Sequence, residues 1–287
     1  MNYRHAFHAG NFADVMKHAV LARILVYLTR KAAPIRYIDS HAGAGRYDLR
    51  SAEAARSPEW RDGVARLLRS APAASVAALL EPYTRAIGPH DAEGAPASYP
   101  GSPAIAQALL RPQDRLALCE ANPEERDKLV AALGRDARLS IVGTDGYVAL
   151  NAYIPPKERR GLVLIDPPFE APDELERVRE ALTRAIRKWP TGIYVAWRPI
   201  REAAADARFL DALAASGAPG ILRLELDVGP GPPGAHGQEP LARAGLIVVN
   251  PPYTLYDDAR RLLPWLAKLL AREGRGRHVC EWLTEPR

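Results

Sequence analysis

Between residues 115 and 197, four short apolar runs (115–120, 139–142, 161–166 and 192–197) alternate with three stretches of helical period (123–133, 146–154 and 173–189). Strands spaced this way pair in parallel, because a helix must carry the chain back across the sheet before the next strand starts. The alternation predicts an α/β fold built on a doubly wound, mostly parallel sheet. A strand over 35–39 precedes it. Helix 201–216, strand 221–228, a Gly/Pro-rich loop at 229–240, strand 244–249, helix 256–273 and a strand near 278–282 follow. The last strands arrive without a full crossover between them, which predicts an antiparallel edge strand. Ahead of everything, apolar residues from Phe12 to Leu28 recur at steps of three and four. That is the period of an amphipathic helix, an N-terminal helical extension with Asn11 as its cap.

Residues 46–99 interrupt the pattern. Alanine and arginine dominate, with Pro58, Pro72, Pro82, Pro89 and Pro96, and no run reads as a buried strand. Short helices over 60–70 and 74–87 are expected instead. The main fold resumes at Gly101, where Ser102 reads as an N-cap and Pro103 as the first helical residue. A length of 287 residues accommodates one large domain formed by 1–45 and 100–287 with a small helical insertion subdomain at 46–99.

Composition removes several classes. Two cysteines, Cys119 and Cys280, support neither a disulfide framework nor a four-thiol zinc site, which points to a reducing, cytoplasmic setting. The first ten residues lack the apolar core of a secretory signal, and charges interrupt every apolar window short of a membrane span. A net charge of +5 and a pI near 9.3 suit an anionic partner.

Four places carry candidate chemistry. The strand at 35–39 ends in Asp39, Ser40, His41, Ala42, Gly43, Ala44 and Gly45, a glycine turn where backbone can approach a ligand. The sequence lacks the third glycine of a dinucleotide fingerprint and the Gly-Lys-Ser/Thr of a P-loop. Glu120 ends the next main strand, where a carboxylate can hold a ribose diol; it can also cap the following helix. Asp39 and Glu120 are 81 residues apart, and without the 54 residues of the insert the separation is 27, close to the expected spacing of about 20. Asp145 and Gly146 end the third strand. They read equally well as a plain turn or as a contact for an adenine amino group.

The sharpest signal is Asp166, Pro167, Pro168 and Phe169 after an apolar strand. An exocyclic amine is a poor nucleophile because its lone pair is delocalised into the ring. A carboxylate and a carbonyl accepting its two N–H bonds localise that pair, while an aromatic ring stacks on the base. The same residues can form a simple helix-capping turn. Asn250, Pro251, Pro252 and Tyr253 repeat the shape on the late edge of the sheet and read as a structural or substrate-side element. His5, His8, His18 and His41 lack the carboxylate or cysteine spacing of a metal site, so no metal is expected. Asp14, Lys17 and His18 share one helix face, placed to touch a cofactor or to pair among themselves.

Taken together, these motifs resemble a class I S-adenosylmethionine-dependent amino methyltransferase. The head of the chain, from Tyr3 through His5, His8, Asn11, Asp14, Lys17 and His18, with Ser40 to Tyr47 and Tyr99 to Pro103, closely resembles the bacterial 23S rRNA (adenine(2030)-N6)-methyltransferase family. The resemblance spans nearly the whole chain. It implies a Rossmann-like fold, S-adenosyl-L-methionine as cofactor and 23S ribosomal RNA as partner. It also implies cofactor contacts from His18, His41, Gly43, Ser102, Glu120, Asp145, Gly146 and Asp166. Asp166 would be the catalytic acceptor, with Tyr3, Pro167, Pro168 and Phe169 on the substrate side. Phe169 departs from the Tyr or Trp common in the wider class, keeping the stacking surface and losing a hydroxyl. A monomer is expected. The competing readings are a DNA adenine or protein glutamine N-methyltransferase and a non-catalytic RNA-binding module. Arg46, Arg50, Arg56, Arg61, Arg66 and Arg69 favour a phosphate backbone over a protein acceptor.

Overall fold

A computed structural model describes residues 4–218, 220–231 and 240–286. In chain order the principal elements are α1 (Phe12–Thr29), β1 (Arg36–Asp39), β2 (Arg46–Tyr47), α2 (Ala52–Arg56), α3 (Val64–Leu68), α4 (Ala74–Ile87), β3 (Tyr99–Pro100), α5 (Ser102–Leu109), β4 (Arg115–Cys119), α6 (Pro123–Leu133), β5 (Leu139–Val142) and α7 (Gly146–Tyr153). There follow β6 (Gly161–Ile165), α8 (Glu174–Lys188), β7 (Ile193–Pro199), α9 (Ala203–Ala214), β8 (Ile221–Asp227), β9 (Arg243–Val249), α10 (Leu255–Leu270) and β10 (Arg277–Thr284).

Eight strands form one sheet in the order β10-β8-β9-β7-β6-β1-β4-β5. The run β5-β4-β1-β6-β7 is parallel throughout, giving the Rossmann-like doubly wound arrangement read from the alternation. Successive strand residues point to opposite faces. In β6, Leu162 and Leu164 join one core with α1, α4, α5, α6 and α10, whereas Val163 and Ile165 join a second core with α7, α8 and α9. The antiparallel part is larger than a single edge strand. β10 pairs antiparallel with β8, and β9 runs antiparallel between β7 and β8. Asn250 is therefore not at the late edge of the sheet. It follows an interior strand that runs the other way.

Three further expectations are corrected. The first helix is not a half-exposed amphipathic one: fourteen of the eighteen residues of α1 are buried, including Asp14, Lys17 and His18. Helices that pack on several sides are apolar nearly all round, and α1 is wedged between the sheet, α4, α5 and α10. The expected helix at 60–70 is broken into a 3-10 turn, Glu59–Arg61, and α3. A Cβ on Gly63 would lie 2.0 Å from the Gly10 carbonyl oxygen, which accepts from Val64 N at 2.8 Å. The N-terminal segment docks at that break. Third, Ser102 does not cap α5. Gly101 occupies the cap position, and the Ser102 hydroxyl donates to Asp39 Oδ2 at 2.7 Å.

The two ends of the 46–99 segment meet in the antiparallel ribbon β2-β3, with Tyr47 and Tyr99 buried, a strand pair its composition did not announce. Helix α4 forms over the expected residues, and Leu79, Leu80 and Tyr83 pack into the same core as α1. Arg66 spends its guanidinium on Asp62 and the Ala271 carbonyl, Arg50 pairs with Asp91, and Arg61 lies over the Trp60 ring. The arginine-rich segment thus offers fewer free cations than its sequence suggests.

Candidate active site

β1 pairs with β4 on one side and β6 on the other, level at Asp39 with Leu118 and Leu164. Asp39, Glu120 and Asp166 consequently stand at the C-terminal ends of three adjacent strands. The chain order reverses here, and in a doubly wound sheet the crevice at this switch point is where a ligand sits.

Glu120 leaves β4 with Oε2 accepting from Gly43 N and Oε1 from Asn122 N, each at 2.8 Å. Glu120 does not cap α6: that place is taken by Asn122, whose side chain accepts from Glu124 N and Glu125 N. Each Glu120 oxygen keeps a lone pair for a second donor, as a ribose diol requires. Burial pushes the Glu120 pKa up, and the two backbone N–H groups offset part of that. Gly43 has φ +61°, and a Cβ there would lie 2.4 Å from the Tyr47 hydroxyl, so the turn needs glycine.

His41 Nδ1 meets Ser40 Oγ at 2.7 Å, and its ring lies edge-on to Tyr147 at 5.2 Å. Burial lowers its pKa to about 4, despite the opposing pull of Asp166 and Asp145. The ring is neutral. A Cβ on Gly146 would lie 2.0 Å from the Ser40 carbonyl oxygen, so α7 starts in backbone contact with the glycine turn. Asp145 caps α7, its Oδ1 accepting from Tyr147 N at 2.9 Å and Val148 N at 3.1 Å. Its Oδ2 faces Arg177 at 3.5 Å. The capping use occupies one oxygen, and the other has Arg177 as its neighbour.

Beneath the turn, Asp39 is fully buried. Its Oδ2 accepts from Tyr37 Oη and Ser102 Oγ, each at 2.7 Å. Burial raises its pKa from 3.8 to about 6, with the Ser102 and Tyr37 hydrogen bonds pulling the other way. The folded protein therefore binds this proton more tightly than the unfolded chain. The associated stability is complete below about pH 4 and is lost as pH rises through 6, a component of about 3 kcal/mol. Asp39→Asn is expected to flatten that part of the profile. Unfolding free energies measured near pH 4 and pH 7 check it, and an unchanged difference between them would contradict the assignment.

Asp166 follows β6. Its Oδ2 accepts from Lys17 Nζ at 2.6 Å, and the same ammonium lies 2.8 Å from Asp14 Oδ1. Lys17 is only 4% exposed. Burial by itself would lower its pKa, but Asp14 and Asp166 together outweigh burial and hold it above the ordinary lysine value. A buried charged lysine thus clamps the two carboxylates. Asp14 Oδ2 in turn accepts from Gly10 N at 2.9 Å and meets His5 Nε2 at 2.9 Å. The polar cluster on α1 pairs both within itself and with Asp166.

His18 Nδ1 meets Tyr99 Oη at 2.7 Å, and that oxygen meets Tyr83 Oη at 2.8 Å. Burial lowers the His18 pKa to about 3, so this ring too is neutral. Pro167 is buried, and Pro168 and Phe169 are half-buried. Phe169 has φ +49°, a left-handed conformation that costs a non-glycine residue about 1–3 kcal/mol, and its ring stands edge-on to Trp197 at 5.4 Å.

The structure gathers His41, Gly43, Glu120, Asp145, Gly146 and Asp166 at one end of the sheet, just past the C-terminal ends of β1, β4, β5 and β6. Ser102 and His18 lie behind them, the first on Asp39 and the second adjoining Lys17 on α1. Tyr3 and residues 232–239 of the Gly/Pro loop lie outside the described residues. The sequence assigned Asp39 no role of its own, and it placed Lys17 against a cofactor or within its own helix cluster, not on Asp166. Among the described residues, no group of three His, Cys, Asp or Glu could hold a metal ion, and no helix is long and apolar enough to cross a membrane.

A family model described as ribosomal RNA large subunit methyltransferase D, RlmJ, matches residues 32–284. The chain is 38% identical over 284 residues to the ribosomal RNA large subunit methyltransferase J of Escherichia coli K12, covering 99% of each chain. It is also 38% identical over 285 residues to the protein of that name from Haemophilus influenzae, again covering 99% of each. The crystal structure of a Legionella pneumophila protein superposes with a TM-score of 0.84 at 33% identity, covering 96% of this chain and 98% of the other.

Proposed function

Because the chain belongs to this RlmJ family of large-subunit ribosomal RNA methyltransferases, we propose that it transfers a methyl group from S-adenosylmethionine to the N6 amine of one adenine, position 2030, in 23S ribosomal RNA. The observation that carries the reading is the meeting of Asp166, Glu120 and the Gly43 turn at the switch point of the sheet. The RNA-binding-module alternative has no use for a clamped carboxylate there.

The donor set fits the cofactor. Glu120 has a free lone pair on each oxygen for two ribose hydroxyls, and Asp145 Oδ2 and the backbone at Gly146 suit the adenine end. His41 and Gly43 form the turn beneath it and Asp166 stands on the side nearer the reacting centre, while Ser102, bonded to Asp39, and His18, bonded to Tyr99, support the site from behind. When bound, S-adenosylmethionine supplies an electrophilic methyl group on a sulfonium.

Every remaining task falls to the chain. Asp166 Oδ2 is taken by Lys17, which leaves Oδ1 to accept an N–H of the target amine. A fixed acceptor of this kind turns the amine lone pair out of conjugation and toward the methyl. Pro167 and Pro168 hold the backbone without competing N–H donors. Phe169, backed by Trp197, offers a ring face for an adenine lifted from its stack. Once alkylated, the amine is strongly acidic and its proton leaves to water or to Asp166, so Asp166 need not be a strong base beforehand.

Residues 46–99 read as an insert that presents part of the RNA-facing surface, and the site of action as the cytoplasm, where ribosomes are made. Tritium transfer from labelled cofactor to 23S-derived RNA, with DNA and protein acceptors in parallel, tests the reading. Label is expected on RNA adenine. Label on DNA or glutamine would move the activity to a rival acceptor, and no label on any acceptor would favour the binding module.

A further inference from the structure

Methyl transfer makes no use of the second proline motif, Asn250 to Tyr253. β9 runs antiparallel to β7 with Val249 beside Tyr194, so Asn250 emerges at the end of the sheet opposite Asp166. Asn250 adopts φ +52°, and its Nδ2 donates to the carbonyls of Pro190 at 2.7 Å and Gly192 at 2.8 Å. Its amide is spent on fixing the turn. Beside the turn a cavity of about 200 Å³ opens between the N-terminal ends of β6 and β7 and the end of α1.

Three observations give this cavity a chemistry. Its lining includes Lys31 and Arg160 and no carboxylate. Arg160 Nη2 donates to the Leu28 carbonyl at 3.2 Å, but Nη1 is buried with no hydrogen-bond partner. A buried guanidinium N–H without an acceptor is costly, and a turn of the Arg160 side chain toward a bound anion would give it one. Tyr253, which follows the lining residue Pro252, is 79% exposed and stands edge-on to the lining residue Tyr27 at 5.6 Å, while Arg30 lies over the Tyr27 ring at 5.7 Å. Cations around an exposed aromatic face are the elements that bind single nucleotides of a strand.

We propose that this cavity is a second nucleotide site, with a phosphate seated against Lys31 and Arg160 and the base stacked on Tyr253. Its volume is below the ~300–1,000 Å³ that encloses a drug-sized ligand. A phosphate with part of its sugar therefore fills the cavity, and the base stays outside, where Tyr253 has a free face. The nucleotide comes either from a single-stranded flank of the RNA substrate or from the free pool, with the same chemistry of recognition. The site lies away from Asp166, so occupancy acts on affinity and not on the chemical step. The RNA source rests on the proposed rRNA activity; the nucleotide site itself does not.

Fluorescence anisotropy with a labelled, 5′-phosphorylated single-stranded oligoribonucleotide reads the site. Tyr253→Ala is expected to weaken binding about 5- to 150-fold, the loss of one base stack. Lys31→Ala is expected to lower the slope of log affinity against log salt by about 0.7, the loss of one phosphate contact. Both side chains are exposed, so neither variant challenges the fold. In transfer assays on 23S-derived RNA, Tyr253→Ala should raise KM and leave kcat unchanged. Displacement of the oligonucleotide by adenosine monophosphate supports the site with free nucleotide as a source, and displacement by RNA alone supports it with the flank as the source. Unchanged affinity and salt slope in both variants overturn the site even where the wild type methylates RNA. A wild type that transfers no methyl while these shifts persist sinks the activity and leaves the site standing.

Discussion

Asp166→Ala is expected to lower methyl transfer to 23S-derived RNA by about 10³-fold or more, while calorimetry still detects cofactor binding within a few-fold of wild type. The separation follows from where the groups are anchored. Glu120 is fixed by Gly43 N and Asn122 N, and Asp145 by the first turn of α7. Neither leans on Asp166. The target amine, by contrast, has a single described carboxylate at the end of β6 to accept its N–H and turn its lone pair. Without that acceptor the lone pair stays in conjugation with the ring and the methyl has no aligned nucleophile. Asp166→Asn should fall between the two, since it keeps an acceptor oxygen but sets an amide N–H against the Lys17 ammonium. Full activity in the alanine variant would remove Asp166 from the mechanism.

How much of this was legible in the chain depends on whether the determinant is local. The parallel strands were readable because β4 and β6 are buried on both faces and so appear as unbroken apolar runs, Leu116 to Cys119 and Leu162 to Ile165. Helix α4 was readable from its own period. The nature of α1 was not: its apolar residues repeat at helical spacing, but only the neighbours α4, α5 and α10, distant in sequence, decide that its remaining faces are covered too. Ser102 shows the same limit. A Ser-Pro start satisfies the local rule for a cap, yet the hydroxyl goes to Asp39, 63 residues earlier, a buried carboxylate that needs donors. The interior place of β9 and the reversal that carries Asn250 away from Asp166 are also set by pairing, which no run of residues specifies alone.

Lys17 is the position at which this limit touches catalysis, and Lys17→Met is expected to reduce kcat at least 100-fold with a much smaller change in KM. The sequence did hold a signal. A lysine flanked by Val15, Met16, Ala19 and Val20 in a mostly apolar helix can be buried only against carboxylates, and Asp14 one turn earlier supplies one of them. The second, Asp166, lies 149 residues away and is fixed only by the fold. Removing the ammonium leaves two carboxylates facing each other without compensation, and breaking a buried pair from one side costs about 3–5 kcal/mol. Stability alone could therefore lower activity, so the decisive comparison is the double variant Asp14→Asn with Lys17→Met. The carboxamide that Asp14→Asn leaves on α1 can still meet Gly10 N and His5, and removing both charges relieves the repulsion. Thermal stability is expected to recover toward wild type while kcat remains low, because Asp166 Oδ2 still lacks the donor that fixes its orientation. Recovery of kcat in step with stability would make Lys17 a structural counter-ion and not a positioning residue for Asp166.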